Sequence, residues 1–255
     1  MQASDPALTP QALATDPPVP ASPSFRRRAV AVAEVVLCSS LPTQVAVGAV
    51  LSAIGLRPLD STGQLSRDFV ILLSLADTAL LLTFMVWLMR EHGESPRALW
   101  LGTRAWAREA RLGLLIVPSL VIGVGLLLNT LRLFAPGLQN VPTNPLEQLA
   151  GTPGDALLLA LVAIIAGGVR EELQRAFLLH RFEQYLGGTG VGVVVLSVAF
   201  GLGHYVQGWD AVITTGVLGA LWAYMYVRRR SSVGPVVSHA AFNGLEIVRL
   251  SLVGM

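Results

Sequence analysis

The 255-residue chain contains no lysine, a single cysteine and very little charge of either sign. Each shortage excludes something. One thiol, Cys38, set within an apolar run, allows no disulfide framework and no cysteine-based metal centre within the chain. Charged residues make up 13% of the chain and hydrophobic ones 53%. Soluble globular domains carry about 25% charged residues, so the deficit points to lipid as the solvent. All 18 basic residues are arginine, the usage of a GC-rich bacterial genome. A formal charge of +2, dispersed between apolar segments, excludes a nucleic-acid partner and instead has the form of a topology signal. A signal peptide is also missing, because no basic stretch leads directly into an apolar core at the start.

What is present begins with residues 1–25, rich in Pro, Ala and Ser and without apolar periodicity, which read as a disordered cytoplasmic tail. Residues 26–255 read as a membrane-embedded domain. Seven stretches, roughly 29–55, 68–89, 112–134, 155–180, 190–207, 210–227 and 233–253, approach the ~20 apolar residues a spanning helix needs. The fold class expected is therefore all-α, a polytopic transmembrane bundle of about seven spans. Pro42 and Pro118 mark kinks. Ser95-Pro96 is a helix start. Arg97, Arg104, Arg108 and Arg111 after it would share one face of an interfacial amphipathic helix.

With seven alternating spans, Arg26–28, Arg90, Arg97, Arg104, Arg108, Arg111, Arg181 and Arg228–230 fall on one side. Arg57, Arg67 and Arg132 fall on the other. The arginine rule then places the N-terminus in the cytoplasm and the C-terminus outside, in a bacterial inner membrane. No internal repeat is visible, which weighs against the inverted-repeat transporters.

Ionisable side chains inside hydrocarbon are costly and usually functional. Three clusters qualify: Arg170-Glu171-Glu172-Leu173-Gln174-Arg175, Phe200-Gly201-Leu202-Gly203-His204, and His239-Ala240-Ala241-Phe242-Asn243. Gly187-Gly188 makes a turn between the first two. Glu171 lies 17 residues before Gly188 and His204 lies 16 after it. At about 1.5 Å per residue an antiparallel hairpin brings both to the same depth, ~25 Å from the turn. His239 and Asn243, four apart, share a helix face. Glu34 and Asp77, outside these clusters, read as groups that pair within the bundle or meet water. Trp222 reads as packing, and Gly201, Gly203, Gly216 and Gly219 as close helix approach.

Taken together over about residues 155–250, these clusters resemble the CAAX prenyl-protease and bacteriocin-processing (CPBP, or ABI) family of intramembrane endopeptidases. The ordered motifs are a Glu-Glu…Arg element, Phe-x-x-x-His and His-x-x-x-Asn. One departure stands out: the family form has three residues between the second Glu and the Arg, whereas here only Leu173 and Gln174 intervene. Either Arg175 sits one step early, or Arg170-Glu171 occupies the place of the Glu pair. The resemblance implies a catalytic set of Glu171, Glu172, Arg175, His204, His239 and Asn243. Glu171 with His204 would activate water, and His239 with Asn243 would stabilise the oxyanion. Glu171 is favoured over Glu172 because its depth matches His204 and because it can pair with Arg175 at i,i+4.

Zinc held by Glu171, His204 and His239 is the alternative activator, although the His-Glu-x-x-His spacing is missing. The implied substrate is a membrane-bound or lipid-modified peptide or protein. The competing readings are a transporter or proton relay, and a non-catalytic immunity-type scaffold.

Overall fold

Helix starts follow the capping residues. In the computed structural model, which describes residues 23–253 apart from 143 and 146, α1 (Phe25–Leu37) opens on Ser24, whose hydroxyl accepts from the Arg27 amide. The tail expected at residues 1–25 lies outside the described residues up to residue 22. Proline at the start of α2 (Leu41–Ala53) breaks the first apolar stretch, and the two helices meet at 43°. Ser40 takes a left-handed conformation at the break, with φ 72°. The Cys38 carbonyl freed there accepts from the Gln174 side chain at 2.6 Å. This internal repair is what a broken helix in an apolar setting requires.

The chain continues through α3 (Arg67–Glu91), α4 (Pro96–Leu101) and α5 (Trp106–Phe134), which runs on through Pro118. Next come α6 (Pro153–Val162), an eight-residue π-helix (Ala163–Arg170) and α7 (Glu171–Tyr185), joined end to end. Then follow α8 (Thr189–Leu202), α9 (Trp209–Arg229) and α10 (Val233–Val253). The interfacial helix is shorter than its arginine pattern suggested. Gly102, with φ 66°, ends α4 against the Arg230 carbonyl, so Arg104, Arg108 and Arg111 do not share a helix with Arg97. A side chain at 102 would collide with that carbonyl.

Among the described residues the structure is all-α apart from one isolated bridge, Leu59 to Leu65. Three described helices, α3, α5 and α9, are long and apolar enough to cross a membrane, and the bent α1–α2 pair makes a fourth. On α5, Leu115, Ile122, Leu126 and Phe134 are each more than 60% exposed, a surface suited to lipid and not to water. Multiple apolar helices of this kind are those of a multi-pass membrane protein.

Two glycine contacts set the packing around the later helices. Gly201 of α8 lies against the Val212 carbonyl of α9, and Gly113 of α5 lies against the Gly234 carbonyl of α10, 2.6 Å from where a Cβ would stand. The main core joins Leu81, Met85 and Met89 of α3 to Ala176, Phe177 and Leu179 of α7, with Cys38 and Ala223 alongside. In this way α7, the helix that opens on the two glutamates, is fixed from several sides.

Ion pairs gather the arginine-bearing helix ends at one end of the molecule. Arg181 joins Glu34 and Glu94, Arg229 joins Glu109, and Arg230 joins Glu183. Arg67–Asp155 and Gln139–Asp210 tie the other end.

Candidate active site

Glu172, the second residue of α7, is the hub. Its carboxylate receives two hydrogen bonds from Arg175, one turn on, both at 3.1 Å. His239 Nδ1–H of α10 donates to Glu172 Oε1 at 2.9 Å. All three side chains are buried. The i,i+4 pair expected between Glu171 and Arg175 does not form, because the shorter i,i+3 reach to Glu172 claims the guanidinium. Arg175 also lies over the Phe200 ring of α8, 4.5 Å from its centre, in the space left by Gly219.

Glu171 takes a different environment. Its side chain is 20% exposed, and Arg170 donates to Oε1 at 3.2 Å. Glu171 Oε2 faces His239 Nε2 at 3.9 Å, too far for a direct hydrogen bond. Arg170 in turn reaches Asp77 of α3 at 3.7 Å and the Ser40 hydroxyl at 2.5 Å. Asp77 and Glu34 therefore pair inside the bundle as the sequence suggests, Asp77 with Arg170 and Glu34 with Arg181.

The tautomer of His239 follows from its partners. A carboxylate only accepts, so Nδ1 carries the proton toward Glu172, and in the neutral ring Nε2 holds a lone pair facing Glu171. The ring is held flat by Trp222 of α9, with centroids 3.7 Å apart and planes at 14°. Trp222 is fixed by its own indole N–H, donated to Ser238 at 3.0 Å. Its role as one wall of the histidine was not visible from spacing, since it lies outside all three motifs.

Asn243, one turn past His239, donates from Nδ2 to the Ala163 carbonyl at 3.3 Å. Ala163 opens the π-helix, where bonding changes from i→i+4 to i→i+5, and the asparagine meets a carbonyl at that junction. The contact requires Gly167, because a Cβ there would stand 2.5 Å from Asn243 Nδ2. Gly168 likewise lies against Ala240, 2.6 Å from a hypothetical Cβ. Neither glycine was singled out by motif reading; a Gly-Gly pair before the glutamates is the signal that could have found them.

His204 follows the last turn of α8. Its Nδ1–H donates to the Phe200 carbonyl at 2.8 Å, which leaves Nε2 without a protein partner among the described residues. Its ring meets Phe200 edge-on, and Phe200 meets His239 edge-on. So His204 reaches the glutamate cluster through the Phe200 ring and forms no hydrogen bond or ion pair with either glutamate. The Gly187-Gly188 turn forms as expected, with φ of 95° and 93°, and α7 packs along α8.

A metal fits poorly. Among the described residues, no group of three or more His, Cys, Asp or Glu side chains is arranged to hold an ion. The expected set of Glu171, His204 and His239 is not assembled as ligands, because His204 meets His239 only through the intervening Phe200 ring.

No curated protein and no solved structure matches the chain. Residues 153–245 do match a family model, described as Rce1-like: Type II CAAX prenyl endopeptidase Rce1-like. That stretch runs from α6 into α10 and includes both glutamates, Arg175, both motif histidines and Asn243. Residues 153–245 of this chain are a domain of the Rce1-like type II CAAX prenyl endopeptidase (CPBP) family.

Proposed function

We propose that the protein is an intramembrane endopeptidase that uses Glu171 as the base for a hydrolytic water. One observation carries the reading: His239 is locked by Glu172 and Trp222 so that its Nε2 lone pair faces the partly exposed Glu171 carboxylate at 3.9 Å. Two acceptors at that separation repel unless hydrogens lie between them. A water seated to one side, donating one hydrogen to each, satisfies both. As its oxygen attacks the scissile carbonyl carbon, Glu171 accepts its proton and later returns it to the leaving amine.

Asn243 keeps a second amide hydrogen after bonding Ala163, and this donor stabilises the developing oxyanion. His204, with Nε2 unengaged among the described residues, is the second motif histidine and orients water or substrate. Glu172 and Arg175 act as positioning residues, holding His239 and the start of α7. No step is routed through a metal.

In this reading α1–α2, α3, α5, α6–α7, α8, α9 and α10 make seven crossings of a bacterial inner membrane. The arginine-rich end, with the N-terminal tail, faces the cytoplasm, following the positive-inside bias. The substrate is a membrane-bound or lipid-modified peptide or protein. Cleavage of fluorogenic tail peptides by the reconstituted protein tests the proposal. Glu171→Gln should lower kcat by about 10²–10⁴-fold, the usual contribution of a positioned base. Retention of full turnover by that variant would refute the assignment.

A further inference from the structure

A cavity, separate from the glutamate cluster, opens at the arginine-rich end with a volume of about 670 Å³. Its walls include Arg26, Arg27 and Val30 of α1, His92 and Glu94 beyond α3, and Tyr185 at the end of α7. The size is that of a site for a small organic ligand.

Its charges are unevenly spent. Glu34, also in the wall, is held by Arg181 and by His92 at 2.5 Å. Glu94 is held by Arg181 at 2.6 and 2.8 Å and lies 3.3 Å from His180. Both carboxylates are thus occupied. Arg26 and Arg27 have no carboxylate partner among the described residues. Arg181, buried against Glu34 and Glu94, keeps its Nη2 without a hydrogen-bond partner among the described residues. The unspent charge of the cavity is cationic, and guanidinium groups suit a phosphate oxygen.

An apolar track leaves the same cavity. Val30 is 42% exposed, and Leu37, seven residues on and so on the same helix face, is 45% exposed. Ala33 between them is exposed too. A free phosphate would make no use of this stripe, whereas an acyl chain would cover it.

We propose that this cavity binds the phosphate of an anionic phospholipid, with one acyl chain lying along Val30, Ala33 and Leu37. The inference does not depend on the protease reading. The test titrates the full chain, in a zwitterionic detergent, with dihexanoyl phosphatidylglycerol, dihexanoyl phosphatidylcholine and glycerol phosphate.

Phosphatidylglycerol should bind saturably. The Arg26→Gln/Arg27→Gln double variant should weaken it roughly tenfold or more, and Arg28→Gln, whose side chain is outside the cavity, by less than about twofold. Equal binding of the phosphatidylcholine would overturn the anion preference. Equally tight binding of glycerol phosphate would overturn the lipid assignment. An equal loss in Arg28→Gln would show diffuse charge attraction and overturn the site.

Discussion

Two adjacent glutamates, one residue apart on α7, have been given separate work. Glu172 is enclosed and holds Arg175 and His239, while Glu171 is partly open and holds only Arg170. Removing one partner of a buried ion pair strands the other charge, at about 3–5 kcal/mol. Arg175→Met should therefore lower thermal stability in detergent by an amount of that order, whereas Glu171→Gln should leave the melting temperature nearly unchanged. Melting curves of the two variants side by side check this split. A large stability loss in Glu171→Gln would show that it, too, is structural.

The same pair shows where sequence reading stops. Position in the chain brings both glutamates to the depth of His204, and the i,i+4 rule favours Glu171 as the partner of Arg175. The helix closes the shorter i,i+3 contact instead, and His239 then adds to Glu172 from a helix more than sixty residues away. Periodicity cannot weigh such competition among neighbouring carboxylates.

At the scale of elements, the π-helix between α6 and α7 shapes the floor of the site. Its glycines let α10 approach until Asn243 reaches the Ala163 carbonyl and Ala240 touches Gly168. Gly167→Ala should cost about 1–3 kcal/mol by overpacking. Displacement of the asparagine amide should also reduce kcat by roughly tenfold, equivalent to ~1.4 kcal/mol. Turnover and melting measured on the same preparation check both parts. The apolar stretches were readable as helices, at α1–α2, α3, α5, α6–α7, α8, α9 and α10, but among the described residues only α3, α5, α9 and the bent α1–α2 pair are long and apolar enough to cross a membrane. The π-helix was not readable, because a change from i+4 to i+5 bonding leaves the apolar pattern of residues 155–170 intact. The interfacial helix was overextended for a similar reason. Arginines at helical spacing say nothing of a glycine that must turn left-handed under a neighbouring carbonyl.

Across the whole molecule, polar groups collect at the glutamate–histidine cluster and at both ends, most densely at the arginine-rich one. The arginine-rich end holds an ionic clasp between α1, α7 and the segment after α3, centred on Arg181, which is 1% exposed. Burial pushes the Glu94 carboxyl up, but hydrogen bonds from His180 and Arg181 outweigh it and hold it at about 2. A carboxylate depressed in the folded state contributes stability above its unfolded value, and that stability is lost as pH falls through the folded one. The clasp should thus weaken between about pH 4.5 and 2, seen as a falling melting temperature. Glu94→Gln should lower stability at neutral pH and flatten the acid-induced loss. An unchanged acid profile in that variant would remove Glu94 as the cause.

Trp222 lies flat on the His239 ring at 3.7 Å, buried, and is one of five tryptophans in the chain. An indole pressed against a second ring at this distance carries that contact in its emission, so the stack makes the candidate-site histidine optically legible. Tryptophan emission should change when His239→Gln removes the ring, and the change should vanish in a Trp222→Phe background and persist in a Trp87→Phe one. An equal change in both backgrounds would place the signal elsewhere. The wall that holds the histidine still would then also report its presence, with no label added.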